Sequence, residues 1–425
     1  MPKVAFRTLG CRLNQAETDV IAEDLLGLGF EVVSESDDPD VIVVNTCTVT
    51  QEATRGSRKV SARAALDHPD SVVVVAGCYA VAEPEEAAAI PGVGMVATND
   101  DKERLAQMIA SRLGYKPLTV IPLSKKHGFP GADRSRVNLK VQTGCDEFCT
   151  FCIIPYTRGP LHSYPTDDLL KRAKAKVAEG ARELVLTGVH LGKYGWDIDR
   201  PDDALVELLE GLLAIDGLWR IRLSSILSQH LTPRIVDLLA TEARLCRFLH
   251  IPLQSGDDEV LERMNRPYRM ADYRGAVERV KSSIPGVGLS TDVIVGFPGE
   301  SAEQFQRTLD VVEEVGYMKL HVFRYSPRPG TPSASFAEQI PDVEKKARSK
   351  RLIALGNQLR AEFHSDQLDK VHEVLVEEKL DSGDLVGHTD NFIKVRFDGP
   401  SAAIDNLVEV YATELCSDGV RGTLV

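Results

Sequence analysis

Residues 144–159 read GCDEFCTFCIIPYTRG, and they follow directly on the stretch VNLKVQT at 137–143. Val137, Leu139 and Val141 alternate with polar residues, so the stretch predicts a strand that runs straight into a loop. The loop carries Cys145, Cys149 and Cys152 at a Cys-x3-Cys-x2-Cys spacing. Three thiols are an odd set. A structural zinc site closes with four ligands, and a disulfide framework needs an even count. Three thiolates at close spacing suit an iron–sulfur cluster with one iron left open, as a catalytic metal keeps a free position. Phe148, Phe151, Ile153 and Ile154 flank the thiols and are expected to keep water off them. The alternative is a zinc knuckle with a distant fourth ligand such as His162.

The chain from 137 to about 330 reads as six strand–helix units. The later strands are expected near 183–188, 219–225, 247–253, 288–295 and 317–323. Thr166 is expected to cap a helix that stops at Gly180, and Thr232 followed by Pro233 starts another. Ser301 with Gln304 makes a capping box for a helix closed by Gly316. Six units predict a partial barrel, short of the eight of a closed one. Active sites of such barrels lie at the C-terminal strand ends, where the cysteine loop falls.

Before the barrel, VAFRTL (4–9), DVIVVN (40–45) and SVVVVAG (71–77) are short β-branched runs separated by helical patterns. They predict an open parallel α/β sheet. Cys11, Cys47 and Cys78 each follow one of these runs. Ligands of open α/β sheets gather outside the carboxyl ends of the strands, so the three thiols are expected to converge. The alternative is three buried cysteines acting as small hydrophobes. A Pro-, Gly- and basic-rich linker is expected over 113–136, a charged helix over 341–370, and a small β-barrel after about 371. The fold class is therefore α/β with three domains: an open parallel sheet over 1–125, a partial (β/α)6 barrel over 130–362 and a small all-β barrel over 363–425.

The 425 residues include 43% apolar side chains and eight cysteines and carry a net charge of −13. No run of about 18 apolar residues predicts a membrane span, and MPKVAFRTLGC lacks a signal-peptide core. A cytoplasmic protein is expected, in a compartment where disulfides are rare. The acidic balance excludes a general nucleic-acid coating protein but leaves room for a local basic groove. Candidate phosphate contacts are Arg55, Arg58, Lys59 and Arg63 on one helix, and Lys125, Lys126, Arg134, Arg136 and Lys140 near the linker. Residues 363–425 hold 5 Lys/Arg against 13 Asp/Glu, which is unlike a basic RNA-binding surface.

The loop Cys145-x3-Cys149-x2-Cys152 resembles that of the radical S-adenosylmethionine (SAM) enzymes, in which the open iron chelates SAM and the sulfonium is cleaved to a 5′-deoxyadenosyl radical. LTGVHLG (186–192) falls where that superfamily usually has a Gly-Gly-Glu segment; Gly188 keeps part of it and the Glu is missing. HIPLQSG (250–256) implies Gln254 and Ser255 as polar contacts to SAM, and DVIVGFPGE (292–300) implies Ile294 and Val295 against its adenine. LGCRLNQAETD (9–19), VNTCTVTQEA (44–53) and AGCYA (76–80) resemble the N-terminal domain of the methylthiotransferases. That family implies a second 4Fe–4S cluster on Cys11, Cys47 and Cys78, a sheet domain that caps the barrel mouth, and a C-terminal TRAM domain. Cys246 and Cys416 match no family ligand and are read as structural.

NTCTVT and LGCRLNQAET resemble most the subgroup acting on N6-threonylcarbamoyladenosine at position 37 of tRNA, which implies insertion of a methylthio group at C2. The other subgroups act on isopentenyladenosine in tRNA or on an aspartate of a ribosomal protein; a zinc-bearing RNA-binding protein is the alternative outside enzymes. The family also implies an electron donor such as flavodoxin or ferredoxin and a sulfur source. A monomer is the default expectation. Arg324 and Arg328, in FRYSPRPGT, stand at the barrel end suited to an anionic part of the substrate.

Overall fold

A computed structural model describes residues 1–116, 135–198 and 203–425. The N-terminal layer is a parallel sheet of β1 (Lys3–Thr8), β2 (Glu31–Val32), β3 (Val41–Thr46), β4 (Val72–Gly77) and β5 (Val93–Ala97), in the order β2-β1-β3-β4-β5. All six residues of β3, VIVVNT, are buried, because helices cover both faces. Alternate side chains divide between the faces. Val41, Val43 and Val74 pack with Ile21 and Leu25 of the helix Arg12–Gly27. Ile42, Val44, Val73 and Val75 pack with Ala64 and Ala65 of the helix Gln51–Asp67.

The central unit carries six parallel strands: β6 (Arg136–Lys140), β9 (Glu183–Thr187), β10 (Arg220–Leu223), β11 (Phe248–His250), β12 (Gly288–Val295) and β13 (Lys319–Arg324). Two ladders, β10-β9-β6 and β11-β12-β13, are joined by parallel bridges Ile221–Leu245 and Ser225–His250. The edges are β6 and β13, and both are covered, β6 by the helix Arg12–Gly27 and β13 by the helix Asp342–Ser365. Covering removes two open rows of backbone donors and acceptors. A short antiparallel pair, β7 (Gln142–Thr143) with β8 (His162–Ser163), clips the base of the cysteine loop.

Thr232 caps its helix through the Ile235 N–H, and Ser301 and Gln304 form the reciprocal capping box. Gly180 and Gly316 close their helices in the left-handed conformation. Thr166 does not cap. The extended Pro165 holds that place, and Thr166 is the first helical residue, its hydroxyl 3.0 Å from the Tyr194 hydroxyl.

The last unit is a closed barrel of β14 (Val371–Lys379), β15 (Leu385–Thr389), β16 (Lys394–Asp398), β17 (Leu407–Cys416) and β18 (Gly419–Leu424), in the order β14-β15-β16-β18-β17. It plugs the N-terminal end of the central barrel. Arg220 donates to the His388 and Glu373 carbonyls, and Arg222 to the Asp390 and Thr389 carbonyls. The boundary expected at 362/363 falls inside the helix Asp342–Ser365. The boundaries at 125 and 130, most of the expected linker, and Lys125, Lys126 and Arg134 lie outside the described residues. No described helix is long and apolar enough to cross a membrane.

Candidate active site

Backbone geometry fixes the barrel's cysteine loop. Gly144 opens it at φ +70, and an added Cβ there would stand 1.7 Å from the Pro160 carbonyl oxygen, so glycine is required. The Cys145 N–H donates to the Gly159 carbonyl (3.2 Å), the Thr150 hydroxyl to the Arg263 carbonyl (2.8 Å), and Arg266 Nη1 to Cys149 Sγ (3.2 Å). The thiols lie close enough to disfavour one another's ionisation. Burial, then Cys149, pushes Cys145 up to about 11; burial, then Cys149 and Cys145, pushes Cys152 up to about 12. A cationic centre that takes the three as ligands offsets that cost, which fits an iron–sulfur cluster. Phe151 and Ile153 do shield the loop, but Phe148 is 54% exposed and meets Tyr156 edge to face at 6.2 Å. Its left-handed φ of 45 turns the side chain outward. His162 is exposed, with its ring against Tyr164.

Cys11, Cys47 and Cys78 follow the C-terminal ends of β1, β3 and β4, which are adjacent in the sheet. Cys11 precedes the helix Arg12–Gly27, and Cys78 starts the helix Cys78–Ala82. Burial, then the Cys78 and Cys11 thiols, raises Cys47. Gly10, at φ +94, is pressed against this group: an added Cβ would lie 2.9 Å from Cys47 Sγ. Asn99 Nδ2 reaches Cys78 Sγ at 3.6 Å. This second trio of thiols also fits a cluster held at three corners.

The sheet domain and the barrel meet beside the two trios. The helix Ile154–Arg158 begins two residues after Cys152, and its Arg158 donates to Glu17 (2.8 Å) and Asn14 on the sheet domain. Asn99 donates to the Thr157 carbonyl (2.7 Å), and Gln51 binds Ser326 and Pro327 beyond β13 (3.1 Å each). Between them lies a cavity of about 150 Å³, lined by Cys152, Phe151, Gln254, Asp292, Ile294 and Arg324 from the barrel and by Val49 and Thr50, just after Cys47. The sheet domain thus covers the barrel mouth.

The other candidate residues divide by position. Gln254, in a left-handed conformation (φ 63), Ile294 and Arg324 line the cavity. Val295 points to the opposite face of β12 and packs in the helix-facing core. The Ser255 hydroxyl is turned to the Asp257 N–H and Thr308. Arg328 is 3% exposed and bonds Thr48 (2.6 Å) and Glu83 (3.4 Å) across the interface. Gly188 packs on Gln142, where a Cβ would meet Oε1 at 2.9 Å; Gln142 in turn holds the Gly144 carbonyl and the His190 N–H.

Two features are not evident in the sequence pattern at first sight. Glu17 is buried among Lys102, Lys140 (3.0 Å) and Arg158. A signal for it exists: Asn14, Glu17 and Thr18 share the helical stripe of Leu13 and Ile21, so polar side chains occupy a buried face. Beside the cysteine loop, His190 (3.0 Å) and Lys193 (2.8 Å) bond Glu147, whose carboxyl falls to about 2, chiefly through the His190 bond.

The family described as "Radical SAM superfamily" matches residues 139–312, and "Uncharacterized protein family UPF0004" matches residues 3–98. The chain is 39% identical to the threonylcarbamoyladenosine tRNA methylthiotransferase MtaB of Bacillus subtilis, over 96% of this chain and 93% of that one. It is 33% identical to the tRNA-2-methylthio-N(6)-dimethylallyladenosine synthase of the same organism, over 100% of this chain and 86% of that one. A solved radical SAM methyltransferase, TsrM of Kitasatospora setae, shares the fold at a TM-score of 0.59 and 16% identity, over 78% of this chain and 77% of that one. With its cysteine loop on a partial barrel, its sheet domain over the mouth and full-length relatives of this kind, the chain belongs to the radical SAM methylthiotransferase family.

Proposed function

We propose that this protein inserts a methylthio group at C2 of N6-threonylcarbamoyladenosine at position 37 of tRNA. The observation that carries the reading is a three-thiol group on each side of one domain interface: Cys152 lines the interdomain cavity opposite Val49 and Thr50, which follow Cys47, and Asn99 reaches both Cys78 and the Thr157 carbonyl. Cys145, Cys149 and Cys152 would hold one 4Fe–4S cluster, and Cys11, Cys47 and Cys78 a second. When bound, the clusters and SAM supply an electron, a carbon-centred radical and the transferred sulfur, chemistry that acid–base groups cannot offer at an aromatic C–H. The chain positions the reactants and keeps water out. Ile294 and Phe151 give an apolar wall suited to an adenine, and Gln254 gives a polar contact beside it. Higher identity to the threonylcarbamoyladenosine enzyme than to the dimethylallyladenosine enzyme of one organism supports the choice of nucleoside. Arg55, Arg58 and Lys59 are exposed on the helix that starts at the cavity rim and suit tRNA phosphates. The reading calls for a cytoplasmic setting, a low-potential electron donor of the flavodoxin or ferredoxin kind and a sulfur source, and a monomer suffices for it. Mass spectrometry of tRNA nucleosides from cells lacking the gene tests it. The 2-methylthio form of threonylcarbamoyladenosine is expected to vanish; its persistence with loss of the dimethylallyl product would assign the other nucleoside.

A further inference from the structure

Where the C-terminal plug meets the barrel stands a set of positive charges that the cluster chemistry leaves without a task. Four cations surround the Phe392 ring of the C-terminal plug. The guanidinium carbons of Arg12, Arg136 and Arg222 lie 5.4, 5.4 and 4.7 Å from its centroid, and Lys319 Nζ lies at 5.8 Å. Two are neutralised: Arg222 pairs with Glu183 (2.7 Å) and Arg136 with Glu377 (2.9 Å). Arg12 and Lys319 have no carboxylate partner among the described residues and stand over the aromatic ring instead.

Arg12 does not lie in packed protein. It borders a cavity of about 480 Å³ together with Cys11, Gln15, Arg136 and Asn138, closed on the far side by Glu377 and the exposed Glu378. Arg12 is thus next in the chain to a proposed ligand of the second cluster and faces the same hollow. Arg12 is exposed, Glu183 and Glu377 act on it only from beyond ion-pair distance, and its planar fork of donors is open to a carboxylate. The N6 substituent of threonylcarbamoyladenosine ends in the free carboxylate of threonine; a dimethylallyl substituent has no charge at all.

We infer that Arg12, assisted by Lys319, receives the threonine carboxylate of the substrate and so selects this nucleoside over one with an apolar N6 group. The inference rests on the proposed function and adds the means of selection to it. A carboxylate held there would place the substituent in the cavity that Cys11 also lines.

The test uses the full chain, reconstituted anaerobically, with anticodon stem-loop RNAs that carry threonylcarbamoyladenosine, its threonine carboxamide, or dimethylallyladenosine. Iron content is read for every variant. The wild type is expected to favour the carboxylate RNA over the carboxamide by roughly ten- to a hundredfold in kcat/KM, as suits a charge-assisted bond. Arg12→Gln should bring the two RNAs to near equality, mainly through KM for the carboxylate RNA, and Arg12→Lys should restore part of the preference. Lys319→Gln, remote from any thiol, should narrow the preference severalfold and serves if Arg12→Gln loses iron. Wild-type discrimination that survives in Arg12→Gln, or in Arg12→Lys and Lys319→Gln alike, overturns the inference and leaves the proposed function standing. Wild-type turnover of the dimethylallyl RNA alone overturns both.

Discussion

Glu17 shows how one side chain can tie two domains. It is 4% exposed and faces Lys102, Lys140 and Arg158. Burial pushes its carboxyl up, but Lys102, Arg158 and Lys140 outweigh that and hold it well below the usual range. Glu17→Gln leaves three buried cations without their counter-charge, and breaking such a cluster costs about 3–5 kcal/mol. Denaturant unfolding should show that loss. The pH dependence follows from the sign of the shift. A carboxyl that is more acidic when folded stabilises the protein above its unfolded pKa of about 4.3, and the gain fades as pH falls below it. Glu17→Gln should therefore flatten the acid limb of the stability curve; an unchanged limb would count against the assignment. Gly10 gives a second test at this scale. Gly10→Ala drives a methyl into Cys47, so iron per chain should fall from about eight to about four, while the barrel's own cluster persists.

At the scale of elements, the helix Ala302–Val315 depends on the Ser301–Gln304 box. Ser301→Ala should cost about 1 kcal/mol, read from the denaturation midpoint, with no change in iron content. This box, the Thr232 cap and the Gly316 stop are legible in the sequence, because capping is local chemistry between residues three or four apart. The three thiols of the sheet domain are legible too, since each follows a β-branched run. What the sequence hides is orientation. Ile294 and Val295 look equivalent in a run of apolar letters, yet the pleat sends one to the cavity and the other to the helices. Ser255 is claimed by Thr308, fifty-three positions away, and Arg328 by Thr48. Such long-range partners leave no trace in spacing. Thr166 fails as a cap for a local reason: the extended proline before it already ends the strand-side backbone. The two-residue β2 is too short to show a period.

Across the whole molecule, the sheet domain covers the barrel mouth and the C-terminal plug closes the other end. The C-terminal unit carries an excess of acid, so phosphate binding is expected from the exposed basic face of the helix Gln51–Asp67. Replacing Arg55, Arg58 and Lys59 with alanine should weaken tRNA binding and reduce the slope of log K against log salt by about 0.7–0.9 for each phosphate that is no longer neutralised. Plug and barrel should unfold as one body, since Arg220 and Arg222 end on carbonyls of the plug. Each group of three thiols is expected to hold its own cluster. Iron counting on anaerobically reconstituted protein tests it most directly. Wild type should bind about eight irons per chain, and about four should remain when either Cys11, Cys47 and Cys78 or Cys145, Cys149 and Cys152 are changed to serine, with SAM cleavage lost only in the second case. Four irons in the wild type, or zinc in place of iron, would contradict it.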